Sequence, residues 1–320
     1  MNVEIPPSLR ELYEASGPIL RYRIQRDVIG RDESYIATSE MGMAVAKLPA
    51  VQQILAAQDA SGWWGDFRTS EVAALRLCEW GLESHRALEN FCEQVLLPTL
   101  LKDDVLWEFG ELELDAAGRT QARRIVRDKT LNLLCRARRE DDPMVRTHLE
   151  FVLAEWEHYT AQAGTKAKET TPLPLPTADG YAAVCRYPWS DDEFPRVRDA
   201  VERLAQFSEK QPTPAHVPRA LAPFLFQLLD KWQYLEQPPR LLYELELAAE
   251  LGAARDLDYS AWMLDELEAR QDADGFFRFP DAGDIVASWY FPLEKENPGE
   301  FYIEFTFRAE LIFKRLAYDI

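Results

Sequence analysis

The sequence predicts an all-α protein, and three observations carry that prediction. Glycine is scarce, 14 in 320 residues, while Leu, Ala, Glu and Arg are abundant and strings of β-branched residues are missing; this is the composition of helices rather than sheets. Apolar residues recur at helical spacing along most of the chain, with cap signals between the runs. A helix-stop unit also occurs twice, as QDASGWW over 58–64 and QDADGFF over 271–277, which points to stacked helical hairpins.

Taken in order, Ser8 is expected to cap a short helix ending near Gly17, and Pro18 to open the next, which Gly30 closes. Helices follow at about 34–46, 48–58, 69–80, 85–101, 119–139 and 143–162. After a break come 193–209, 216–231, 239–251, 258–271 and 302–317. The break runs from Gly164 to Pro188, and its prolines are expected to forbid regular helix and favour an irregular, extended connection. Because the repeated unit stands on both sides of that connection, residues 1–320 read as a single domain. In each copy an amphipathic helix (AVQQILAAQ, WMLDELEARQ) runs into a Gly that can take positive φ. The two aromatics that follow can cover the last turn.

Composition excludes several classes of function. With 47% apolar residues the chain can bury a sizeable core. A net charge of −19 repels DNA, RNA and anionic lipid, so an anion would need a local basic patch. The four cysteines lie far apart with no C-x-x-C, and the opening MNVEIPPSLR does not read as a secretory leader, so reduced thiols and a cytoplasmic location are expected. The most apolar stretch, Leu221 to Leu229, is too short to span a bilayer.

At the two copies of the repeated unit the sequence resembles the terpenoid cyclase and protein prenyltransferase superfamily, whose repeat reads approximately Q-x-x-x-G-x-W after an outer helix. TSEVAALRLCEWGL follows Trp64 as an inner helix of that family should, and EFTFRAELIFKRL matches a closing inner helix. The chain looks most like the small bacterial squalene-cyclase-like proteins. The resemblance implies an α/α toroid of about six helical hairpins around a central cavity. It also implies an isomerase or lyase that starts cyclisation or isomerisation of an isoprenoid, or another apolar chain, by proton transfer in an aromatic-lined cavity. The alternative is a non-catalytic toroid that binds a lipid-like ligand or an acidic protein partner.

Similar cyclases carry the acidic motif D-x-D-D-T-A, whose middle Asp protonates an alkene. Its nearest match is DLDYSA over 256–261, which makes Asp258 the candidate proton donor, with Asp256 beside it and Tyr259 in place of the last Asp. Such an acid must be kept protonated by burial in a dry site; alternatively, either Asp caps a helix. Trp63, Trp64, Phe276 and Phe277 after the glycine turns, and Trp289, Tyr290 and Phe305 near the C-terminus, can steady a carbocation by cation–π attraction or fill an ordinary core. Thr69 and Glu71 at one inner-helix start, and Arg308 at another, are candidates for the cavity mouth. Arg123 and Arg127, spaced i,i+4, share a face that can grip a diphosphate or an acidic partner, or simply exchange ion pairs at the surface.

No cofactor is expected, and Mg²⁺ enters only if the substrate is a diphosphate. Asp103-Asp104 and Asp191-Asp192-Glu193 both lack the third ligand of D-D-x-x-D, and Ser190 marks the latter as a helix start. Cys78 and His85 have no third zinc ligand nearby, and no G-x-S-x-G, H-E-x-x-H, P-loop or G-x-G-x-x-G occurs.

Overall fold

Proline, glycine and short polar side chains set the helix ends of this chain, and the computed structural model describes them over residues 5–31, 34–102, 104–162, 175–208, 218–228, 233–234, 237–279 and 300–318. The described residues are all-helical, with only two isolated bridges, Thr177 to Leu225 and Gln271 to Phe277. The helices are α1 (Arg10–Ala15), α2 (Pro18–Arg23), α3 (Ile36–Ala46), α4 (Pro49–Ala56), α5 (Phe67–Glu79), α6 (Arg86–Phe91), α7 (Leu97–Leu100), α8 (Ala116–Arg136), α9 (Pro143–Gln162), α10 (Ala178–Arg186), α11 (Phe194–Ser208), α12 (Pro238–Glu250), α13 (Asp258–Glu268) and α14 (Phe301–Tyr318). π-turns at Ile24–Val28 and Cys92–Leu96 continue α2 and join α6 to α7. Proline opens α2, α4, α9 and α12, where its missing N–H costs nothing. Asp115 caps α8 by accepting from the Gly118 N–H, and before α11 the Glu193 carboxylate accepts from both the N–H and the hydroxyl of Ser190. No helix among the described residues is long and apolar enough to cross a membrane.

The chain divides into two compact units, each drawn from separate stretches. The first comprises residues Met1–Ala57, Arg76–Leu82 and Lys231–Ile320; in it α14 packs on α12, on α1 and on the π-turn after α2, while α2 lies on α3 and α12 on α13. The second comprises Gln58–Leu75 and Glu83–Asp230; in it α8 packs on α10, α9 and α7, and α9 on α11.

Burial separates two kinds of helix. Asp128 to Cys135 of α8 are all buried, as are Gly180 to Cys185 of α10, Glu244 to Ala249 of α12 and Ile303 to Ala309 of α14. Six or more consecutive buried residues point in every direction around a helix, so these segments are enclosed on all sides. In contrast, α9, α11 and α13 each keep an exposed face. Among the described residues of the second unit, the enclosed α8 and α10 alternate with the one-sided α9 and α11.

The two copies of the repeated unit fold alike, one in each unit. Gly62 and Gly275 take φ of 87° and 84°, the left-handed turn that glycine accepts without strain. The side-chain amides of Gln58 and Gln271 donate to the Gly62 and Gly275 carbonyls at 2.9 and 3.2 Å. Asp59 Oδ1 accepts from the N–H groups of Ser61 and Trp63, and Asp272 Oδ1 from those of Asp274 and Phe276. The second aromatic then donates its N–H to a hydroxyl on the helix that follows: Trp64 to Ser70 Oγ and Phe277 to Thr306 Oγ1, both at 2.9 Å.

Three local expectations are corrected. Ser8 lies inside a 3-10 turn, Pro7–Leu9, and makes no side-chain cap; α1 begins at Arg10. The helix expected over 216–231 is, in the described residues 218–228, only the 3-10 turn Ala222–Phe224, because Pro218 and Pro223 remove donors that a helix needs. Conversely, the connection expected to be irregular from 164 to 188 contains α10; no proline lies between Pro176 and Pro188, and Thr177 Oγ1 caps the helix by accepting from the Gly180 N–H at 2.9 Å. Residues 163–174 lie outside the described ones.

Close approach of α10 to α8 depends on Gly180, where an added Cβ would stand 2.8 Å from Asp128 Oδ2 and 3.0 Å from Thr177 Oγ1. Gly180→Ala is expected to cost about 1–3 kcal/mol in urea unfolding, the usual penalty for overpacking. A loss below about 0.5 kcal/mol would mean that the two helices separate freely at this point.

Candidate acid site at Glu71

Enclosure of α8 forces the charge of Lys129 to find partners inside the second unit. Its Nζ donates to Glu71 Oε2 at 2.9 Å and to Glu108 Oε1 at 3.0 Å. The same ammonium lies over the rings of Phe224 and Phe67, 4.8 and 5.5 Å from their centroids. Phe67 and Glu71 stand one turn apart on α5, whose start is capped by Asp66 accepting from the Thr69 N–H at 2.7 Å. Glu108 comes from the 3-10 turn Trp107–Phe109, in which Trp107 stacks on Phe67 with centroids 3.4 Å apart and planes 16° apart. Phe109 anchors that turn in a cluster with Leu114, Ala122, Ile125, Val126 and Leu221.

A hydrogen-bonded layer from α8 and α10 adjoins this cage. Asn132 donates to Asp179 Oδ1 at 2.7 Å and accepts from Arg186 at 2.9 Å. Asp128 accepts from Thr177 Oγ1 at 2.6 Å and from Arg127 Nε at 2.8 Å.

The electrostatics follow from three carboxylates acting on one ammonium. Burial alone would lower the Lys129 pKa, but Glu71, Asp179 and Glu108 outweigh it and hold the amine charged. For Glu71, burial pushes the carboxyl up, Lys129 pulls it down, and Asp179 and Glu108 push it up again; the net result lies above the usual carboxylate range. The cage therefore contains a lasting cation and a carboxyl whose proton affinity is raised, beside aromatic faces that already hold positive charge.

Of the sequence candidates, only Glu71 belongs to this cage. Asp256 and Asp258 are exposed; Asp258 is the first residue of α13, where Leu257 is the N-cap and no side-chain cap bond forms. Neither has the dry setting that an alkene-protonating acid needs. Thr69 is exposed. Trp63 and Trp64 pack edge-on against Phe91 at 6.1 and 5.5 Å, so they serve the turn they follow. In the first unit Phe276 stands edge-on to Tyr302, Phe277 lies against Phe313 and Phe305 against Phe279. Trp289 and Tyr290 lie outside the described residues.

Two arginine expectations change as well. Arg308 is buried, with Nη1 donating to Glu246 at 2.9 Å and Nη2 to Glu79 at 2.7 Å; burial would lower its pKa, but the two carboxylates more than compensate. Arg123 and Arg127 do not act as a pair, because Arg123 is exposed while Arg127 is tied to Asp128 and, at 2.8 Å, to Glu155. His85 is accounted for by capping, since its Nδ1 accepts from the Ala87 N–H. Among the described residues no three His, Cys, Asp or Glu side chains form a group that could hold a metal ion.

Lys129, Glu108, Asp179 and Asn132 were not singled out from the sequence. A signal was present: Asp128-Lys129 is flanked by Ile125-Val126 and Leu131 on one helix, so no phase of that helix leaves the charged pair on a polar face.

Lys129→Met is expected to destabilise the protein by about 1–3 kcal/mol at neutral pH, because it leaves the half-buried Glu71 carboxylate without its partner. Without the ammonium the Glu71 pKa climbs further, so the folded variant binds its proton more tightly than the unfolded chain, whose value is near 4.5. Stability of the variant then falls as pH rises above that value, and the deficit shrinks as pH is lowered toward it. Urea titrations across pH read this directly; a deficit that is constant with pH contradicts the assignment. No protein-family model, curated protein or solved structure matches this chain, and the reading of the site rests on its own geometry.

Proposed function

We propose that the protein transfers a proton from Glu71 to an unsaturated apolar substrate, in a terpenoid-cyclase-like cyclisation or isomerisation of an isoprenoid or similar chain. The observation that carries this reading is a half-buried carboxyl, held above the usual carboxylate range, beside ring faces that hold a positive charge. In the reaction the Glu71 O–H bond breaks as the alkene π pair takes the proton. A carbocation forms on the neighbouring carbon and Glu71 becomes a carboxylate. Loss of a proton from the cation to that carboxylate gives the rearranged alkene and restores the acid. Faces of Phe67 and Phe224, with the carboxylates of Glu108 and Asp179, favour the developing positive charge. The reading needs no metal; Mg²⁺ enters only if the substrate bears a diphosphate.

Two further features support it. The helix carrying Glu71 directly follows the first copy of the repeated unit, and the resemblance implies an acidic motif at the start of such a helix. Within the second unit, the alternation of enclosed and one-sided helices over α8–α11 is compatible with a two-layered helical arrangement. A second reading, a non-catalytic toroid that binds a lipid-like ligand, is favoured by one observation: Lys129 is already doubly ion-paired, as a purely structural charge would be.

Product analysis with a panel of squalene-type hydrocarbons and allylic diphosphates, with and without Mg²⁺, tests the proposal. Wild-type protein is expected to form cyclised or isomerised products. Glu71→Gln should lose about 100-fold or more of the rate, the scale of general acid catalysis, while Asp258→Asn keeps it. Because only protonated Glu71 donates, the rate should fall as pH rises through its raised pKa. No product from folded protein across the panel moves the weight to the binding reading; product undiminished in Glu71→Gln removes Glu71 as the acid.

A further inference from the structure

We infer that the ring face of Phe67 is a binding subsite for a planar, unsaturated group, occupied in the free protein by the indole of Trp107. The use given to that subsite rests on the Glu71 reading above. Trp107 has φ of 39°, in the left-handed region that a bulky side chain rarely adopts. The backbone is bent there, and the bend lays the indole on Phe67, 3.4 Å between centroids and nearly parallel. From the same turn Glu108 reaches Lys129 at 3.0 Å. Strain of this kind persists only where surrounding contacts hold it; here the stack, the ion pair and the packing of Leu106 and Trp107 on the core cluster do so.

The turn is anchored at Phe109, and Val105, Leu106 and Trp107 pack against the same cluster but are only partly buried. Phe109 is buried in the core cluster, whereas Trp107 is half-buried and the Glu108 side chain is 28% exposed. Pivoting about Phe109 withdraws the indole and carries Glu108 away from Lys129, which retains Glu71 as partner. The vacated face lies one helical turn from the Glu71 carboxyl. A group that replaces the indole must stack as it does, which selects a flat π system, an alkene segment or an aromatic ring, over a saturated chain or a polar headgroup.

Carboxyl labelling tests this without any substrate. A water-soluble carbodiimide with an amine nucleophile modifies protonated, accessible carboxyls, and peptide mass analysis reads the rate at Glu71. Trp107→Gly removes the ring and tolerates the left-handed backbone, so Glu71 labelling is expected to rise by about fivefold or more. Trp107→Phe keeps a stacking ring and should label like wild type. Millimolar indole should return Trp107→Gly to the wild-type rate. An unchanged rate in folded Trp107→Gly, or no protection by indole, overturns the inference.

Should Trp107→Gly fail to fold, hydrogen exchange on the wild-type protein decides. The Phe109 and Gly110 amides, bonded only to Leu106 and Trp107 carbonyls within the turn, are expected to exchange through a local opening about 100-fold faster than those of Ile125 and Val126. Exchange of both sets at the single rate of global unfolding overturns the subsite. Labelling that responds to indole while the isoprenoid panel yields nothing supports the subsite and counts against the proton-transfer reading. Products without a labelling response count against the subsite alone.

Discussion

The ion pairs of Lys129 with Glu71 and Glu108 follow from a constraint on α8: from Asp128 to Cys135 the helix meets protein in every direction. A charge on such a helix cannot be left to water, and desolvating it alone costs several kcal/mol. Lys129 must therefore recruit carboxylates from α5 and from the turn before α8, and in doing so it brings Glu71, Phe67 and Trp107 to one place. The neighbours Asp128 and Asn132 meet the same requirement through Thr177, Arg127 and Asp179. Within the first unit the enclosed α14 solves it with Arg308 between Glu79 and Glu246. What chemistry the second unit offers is a by-product of satisfying α8.

Much of the architecture was legible because helical periodicity and proline placement are local signals. The run expected over 143–162 coincides with α9, and the runs near 69–80, 193–209 and 302–317 lie within two residues of α5, α11 and α14. Failures came where proline was read too coarsely: the prolines around 164–188 bracket α10 without entering it, while two prolines inside 216–231 leave only a 3-10 turn in the described part. The site was legible in part. Glu71 stood out by its place on the helix after a repeat, whereas on α8 the i,i+4 spacing drew attention to Arg123 and Arg127. The apolar flanks of Lys129 were the weaker mark, and its partners come from far along the chain. The likeness of DLDYSA to an acidic motif was a likeness of letters, since the amphipathic phase of α13 buries Tyr259 and Ser260 and turns Asp258 outward.

The repeated unit contains more than its aromatic and glycine letters. Ser70 and Thr306 lie at different distances from their glycines, yet each hydroxyl accepts the N–H of the second aromatic. The turn is thus closed from three sides: by the glutamine amide, by the aspartate carboxylate and by a hydroxyl from the next helix. That third bond ties the turn to the helix it introduces and fixes where the helix begins relative to the aromatics. In the first copy Gln58 adds a fourth contact, donating to the Ala87 carbonyl at 2.7 Å, so one side chain spans the turn and the start of α6.

Complete enclosure also governs how these helices can change over evolutionary time. The one-sided α9, α11 and α13 can exchange residues on their wet faces singly, at little cost. On α8 a single exchange strands a partner drawn from far along the chain: Glu71 is 58 residues from Lys129, Thr177 is 49 from Asp128 and Asp179 is 47 from Asn132. Effects at such sites are coupled rather than additive. The stability effects of substitutions at positions 71, 108 and 129 are therefore bound to one another, and each position constrains what the other two can accept.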